Sequence, residues 1–172
     1  ENIGHDLFRR GAVQQVAVVA ILDAQHLLAV VVIPAALAPK VGQLQGEFIR
    51  DNLDLDNATG PFNLEPFAGS PDDNNAKFFF SGAWDVLQPY IESGVLVVPS
   101  GKSPATNDDW ATIGIQGWES SGAQDEMDNR LASFYTGGAT VDVVLSPNDS
   151  LAQGIAESLA SAGYAPGSYI LT

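Results

Sequence analysis

Cysteine is absent from the 172 residues, so no disulfide framework and no thiol chemistry is available. Histidine occurs twice, and no His/Asp/Glu cluster has ligand spacing, which argues against a metal site. Bases are scarce: seven Lys and Arg face 21 acids, for a formal charge of −14. Arg9, Arg10 and Lys40 balance Glu1, Asp6 and Asp23, so the whole excess lies downstream of Lys40. Such a surface repels phosphate backbones and anionic bilayers, which disfavours nucleic acid and membrane surfaces as partners. No Gly-rich phosphate loop is present. The turn at Ser146-Pro147-Asn148-Asp149 lacks the context of a serine elbow. Asp72-Asp73 has no activated nucleophile, base and orienting group around it. The expectation is a protein without catalytic residues or cofactor, and not an enzyme.

What is present is organised around residues 64–94, LEPFAGSPDDNNAKFFFSGAWDVLQPYIESG. A short apolar run meets a Gly-Ser-Pro break and four polar residues. Phe79, Trp84, Leu87 and Ile91 then recur at helical spacing. Asp73 or Asn74 is placed to cap that helix with a short side-chain oxygen. The unit is strand, polar turn, helix, and ligands in open α/β sheets bind at such strand ends. Phe78, Phe79 and Phe80 read as packing rather than a stacking platform.

Upstream, residues 12–39 are rich in alanine and valine. A membrane helix is interrupted by Gln14, Gln15, Asp23, Gln25 and His26. A signal peptide would explain the arginines and the small residues at the end, but the apolar run is too long. The third reading is two buried elements, 16–22 and 27–33, joined at Asp23-Ala24-Gln25, strands by their valine and isoleucine or else helices. Downstream, Val41, Leu44, Phe48 and Ile49 mark one face of a helix. Strands are expected near 95–98, 141–145 and 169–171. Helices are expected near 124–135, with Met127, Leu131, Phe134 and Tyr135 inward, and near 151–162. Alternation of this kind implies an α/β fold, three layers around a parallel sheet.

Three segments carry a resemblance: KVGQLQGEFI, GSPDDNNAKFFFSGAWDVLQPYI and MDNRLASFYTGGATVDVVLSPNDSLAQGI. In order and spacing they resemble the substrate-binding proteins of bacterial monosaccharide ABC importers, in the xylose-binding and multiple-sugar receptor branch. These are type I periplasmic binding proteins. The resemblance covers roughly residues 40–172, most of a second lobe. It implies an incomplete lobe with an added apolar N-terminal segment, 1–39, as a buried hairpin or swapped element. The resemblance stops abruptly near Lys40, as a change of reading frame or a rearrangement upstream would produce. The first lobe and the Gly-Gln-Asp loop of the family are missing. Pro66 stands where relatives carry an apolar non-proline residue in a central strand. A proline there predicts a bulge or a place nearer a sheet edge.

A pyranose offers hydroxyls that both donate and accept, which Asn and Asp match, and an apolar C–H face that aromatic rings cover. The resemblance places sugar contacts at Asn74 or Asn75, at Trp118 of the Gly117-Trp118 pair, and at Asn148. Beside this stand the plainer roles: helix caps for Asp73, Asn74 and Asn148, and core packing for Trp118.

Two functions follow as expectations. One is the solute-binding component of a carbohydrate ABC transporter, truncated and with little or no sugar binding alone, or an intact weak monosaccharide-binding module. The other is a ligand-free oligomer derived from such a receptor, a dimer or trimer with swapped elements. The partners implied are a monosaccharide, a second copy of the chain and an ancestral ABC permease, with no nucleic acid. The family is extracytoplasmic, and the compartment of this chain is not fixed by its sequence.

Overall fold

The computed structural model describes residues 16–22 and 28–34 as backbone strands, and residues 37–172 throughout. The first two strands, β1 (Val16–Leu22) and β2 (Leu28–Pro34), form an antiparallel hairpin. Its register runs from Val16 opposite Pro34 to Leu22 opposite Leu28. Runs of valine and isoleucine thus form strands, as their branched side chains favour. The joining turn and the burial of these side chains lie outside the described residues.

From Ala38 the chain alternates. The order is α1 (Ala38–Asn52), β3 (Phe62–Pro66), α2 (Asn74–Glu92), β4 (Leu96–Val97), α3 (Ser120–Phe134), β5 (Val143–Leu145), α4 (Asp149–Ser161) and β6 (Ile170–Leu171). The four later strands make one parallel sheet in the order β4-β3-β5-β6. Adjacent side chains point to opposite faces, which divides the core in two. Leu64, Val143 and Leu145 pack with Ile49 of α1 and Phe80, Trp84 and Leu87 of α2. Phe67 and Val144 pack with Met127 of α3 and Leu151 and Ile155 of α4. Helices therefore cover both faces, and the sheet is the middle of three layers.

The buried side of α1 differs from the expected one. Leu44 and Phe48 are 54% and 51% exposed, whereas Ala38, Gly42, Gly46 and Ile49 are buried. The reason is backbone proximity. A Cβ on Gly42 would lie 1.9 Å from the Phe79 carbonyl oxygen, and one on Gly82 would lie 2.0 Å from that of Pro39. The two helices touch through glycine, which carries no periodic hydrophobic signal. In α3 the expected inward Phe134 is 45% exposed, while Arg130 is buried. The helix also begins at Ser120, four residues before the expected start.

Arg130 is buried because Glu65 of β3 meets it. Its Nη1 donates to Glu65 Oε2 at 3.0 Å and to the Pro66 carbonyl at 2.9 Å. Its Nε donates to Glu126 at 2.9 Å, and its guanidinium lies 4.0 Å from the Phe67 ring centroid. Glu65 also accepts from the Ser100 backbone and hydroxyl and from the Tyr135 hydroxyl. Every charge here has partners, which a buried pair requires.

Pro66 neither bulges the strand nor moves it to an edge. β3 lies between β4 and β5, and Pro66 pairs with Leu145. The flanking geometry explains this. The Phe67 N–H donates to Leu145 on β5, and the Ala68 N–H donates to Ile113 on the other side. The N–H that proline lacks would face that other side, beyond Val97, where β4 has ended. No ladder bond is lost there, so the strand order of the sheet tolerates the proline.

Candidate functional site

The carboxyl ends of β3 and β5 open onto the polar turns flagged in the sequence. After β3 the turn at residues 69–73 leads into α2, with Asp73 as its N-cap: Oδ1 accepts the Asn75 N–H at 2.8 Å. The expected cap is therefore Asp73, not Asn74. Two 3₁₀ segments, Asn107–Ile113 and Gln116–Trp118, bring a second polar turn against the first. The joining bridge is Ala68 with Gly114.

These turns enclose an open cavity of about 420 Å³ lined by Ser70, Asp72, Asp73, Asn74, Asn75, Gly117 and Trp118. Three of the four expected sugar-contacting residues thus meet in one place. Asn74 is exposed. Asn75 is half-buried, and its Oδ1 is a buried acceptor without a hydrogen-bond partner among the described residues. A buried acceptor left unpaired is costly. Trp118 is half-buried and presents its ring at the cavity wall. Asn148 does not line this cavity. It stands after β5, where its Oδ1 caps α4 by accepting the Leu151 N–H at 3.0 Å. Ser150 links that helix start to the Trp118 carbonyl at 3.4 Å.

Ser70 and Gln116 were not singled out by the sequence, and they organise Asp72 and Asp73, which were. Ser70 is 1% exposed. Its hydroxyl donates to Asp72 and accepts the Gly117 N–H at 2.8 Å. Asp72 also accepts from Gln116 at 3.1 Å. The hydrogen bond from Ser70 holds the Asp72 carboxyl below the usual carboxylate range. Asp73 Oδ2 accepts the Trp118 indole N–H at 3.2 Å. The only hint in the sequence was the dense run of small polar residues after the Gly-Ser-Pro break.

The lining holds two carboxylates and no base, so an anionic ligand is disfavoured. What it offers is amide and carboxylate hydrogen bonding beside an aromatic face, which suits a neutral polyhydroxylated molecule. Among the described residues no group of His, Asp and Glu could hold a metal ion. No helix of the described residues is long and apolar enough to cross a membrane.

The chain is similar to known proteins. It is 51% identical over 128 residues to the multiple sugar-binding periplasmic receptor ChvE of Rhizobium radiobacter, covering 74% of this chain and 34% of that protein. It is 33% identical over 124 residues to the D-xylose-binding periplasmic protein of Escherichia coli, covering 72% of this chain and 32% of that one. It therefore spans about a third of the length of these relatives. Among solved structures, an ABC transporter solute-binding protein from Clostridium phytofermentans with bound β-D-glucose superimposes with a TM-score of 0.68 at 45% identity. That match covers 78% of this chain and 38% of that one. A carbohydrate transporter solute-binding protein from Chloroflexus aurantiacus, in complex with D-glucose, gives 0.59 at 30% identity, over 78% and 41% of the two chains. The family described as periplasmic binding protein domain matches residues 12–172, beginning upstream of Lys40. A parallel sheet between two helical layers, a polar cavity at its strand ends and this match over nearly the whole chain lead to one assignment: the chain belongs to the periplasmic binding protein domain family.

Proposed function

We propose that the chain carries one half of a monosaccharide site of a carbohydrate ABC importer, and that alone it binds sugar weakly or not at all. The observation that carries this is the meeting of Asn74, Asn75 and Trp118 on one open cavity at the strand ends. Side-chain amides would bond sugar hydroxyls there, and the indole would cover a sugar C–H face. Asn148 is a further contact from the neighbouring strand end. The relatives named as sugar-binding, and the two structures with bound glucose, support the reading.

Weak affinity follows from openness. The cavity is walled on one side only, so a sugar makes about half its bonds while the cost of immobilising it remains. Dissociation constants of roughly millimolar or weaker are expected, about −4 kcal/mol or less favourable. Calorimetric titration with xylose, glucose, galactose and arabinose is the test, and micromolar binding by the isolated chain would overturn weak affinity. In this reading residues 40–172 are the partial lobe, residues 1–39 an apolar segment ahead of it into which the family match extends, an ABC permease the downstream partner, and an extracytoplasmic compartment the setting.

A second reading is a ligand-free homo-oligomer, a dimer or trimer with exchanged elements. What favours it is the apolar strip of Leu37, Leu44 and Phe48 on α1, each about half exposed. That strip directly follows the apolar hairpin strands in sequence. Exposed apolar surface of this kind is a site of association. Light scattering after size exclusion decides: a monodisperse monomer at tens of micromolar would sink the oligomer.

A further inference from the structure

Trp118 adopts φ 57°, a left-handed conformation that non-glycine residues rarely take, directly after Gly117 at φ 66°. Strain of this kind persists only where surrounding contacts over-determine it. The Gly117 N–H is held by Ser70, Gln116 by Asp72, and the indole N–H by Asp73. Beneath the ring lies Gly69. A Cβ there would come within 2.0 Å of indole Cη2 and 2.3 Å of Cζ2, so the six-membered ring rests directly on glycine.

We infer that Gly69, Ser70 and Asp73 are positioning residues that fix the Trp118 ring in its orientation before any ligand arrives. Gly69 is the bed, Ser70 sets the backbone, and Asp73 pins the indole N–H. One ring face is thereby taken by Gly69, and Trp118 lines the cavity beside it. This deepens the sugar-site reading, since it assigns the presentation of the stacking surface to three residues of the β3–α2 turn. The ring is then preformed in a lone lobe, and its orientation limits which sugar face can stack.

The experiment uses the full chain labelled with 5-fluorotryptophan, without sugar. Its three tryptophans give three fluorine resonances, of which W118F identifies one. Trp84 and Trp110, at 1% and 8% exposed, serve as internal references. G69A and S70A are expected to shift and broaden the Trp118 resonance and leave the other two in place. D73N separates the pin from the helix cap: asparagine keeps an oxygen for the Asn75 N–H but loses the second carboxylate oxygen that the indole needs. Should G69A or S70A not fold, D73N decides. A Trp118 resonance unmoved in D73N would overturn the proposal. So would a response shared by all three resonances, because Ser70 and Asp73 would then hold the lobe rather than the ring. Titration of the unmodified chain with xylose and glucose is a separate arm. A Trp118 signal sensitive to D73N but blind to both sugars would keep the positioning role and remove the sugar.

Discussion

Asn148 illustrates how a single polar side chain can serve structure and recognition together. Its Oδ1 is committed to the Leu151 N–H, while its amide nitrogen keeps its donors at the strand end. Asn148→Ala is expected to cost about 1 kcal/mol of stability through the lost cap. Where sugar binding is measurable, it should also weaken by about 1–3 kcal/mol. Urea unfolding and calorimetry report the two effects separately. Asn75→Ala should behave differently, because its side-chain oxygen has no partner among the described residues to lose. The expected result is unchanged or slightly raised stability with sugar binding lost, and a destabilised variant would count against the site. These asparagines were legible in the sequence because polar side chains cluster visibly between a strand and a helix. Ser70 and Gly69 were not, because serine and glycine after a strand read as any turn would. Only the neighbouring loop, more than forty residues away in the chain, shows what they hold.

At the scale of elements, the contact between α1 and α2 is the least forgiving in the fold. Gly42 and Gly82 bring the two backbones together from both sides. Gly42→Ala should therefore destabilise by about 1–3 kcal/mol, although alanine is the better helix former. A urea midpoint that rises would show that the helices can separate at no cost. This also explains why Leu44 and Phe48 of the expected α1 face stand exposed while Ile49 is buried. Hydrophobic periodicity finds helix sides that pack through side chains, and this side packs through their absence. The alternation of strands and helices was legible, since Val143–Leu145 and Leu96–Val97 are apolar runs between polar turns. The buried Arg130 was invisible, because a charge on an amphipathic helix reads as solvent-facing until its partner on another element is known.

For the molecule as a whole, the Glu65 network sets a limit on the alkaline side. Burial, and then the Glu65 charge, push the Tyr135 hydroxyl well above its usual range. Unfolding would release it to an ordinary value near 10. The unfolded chain thus gives up this proton first, and stability falls as pH rises above about 10. Below that value the contribution is fully present. Tyr135→Phe should flatten the fall between pH 9 and 11, roughly the window in which an unfolded tyrosine titrates, as followed by urea unfolding. An equally steep fall in the variant would assign the loss to other groups, such as Tyr90, whose bond to Asp56 also raises it.

The same network has an evolutionary consequence. Glu65 and Arg130 are 0% and 2% exposed, and each satisfies the other. Replacing Arg130 alone strands the buried Glu65 charge, at about 3–5 kcal/mol, and replacing Glu65 alone leaves Arg130 with Glu126 as its carboxylate partner, while replacing a buried pair with apolar residues of similar volume can be neutral or better. The first loss is comparable to the whole stability of a modest domain. Arg130 is therefore locked to Glu65 across 65 residues of sequence: a lineage can change Arg130 first only by changing Glu65 with it, or after gaining stability elsewhere to cross the valley between them.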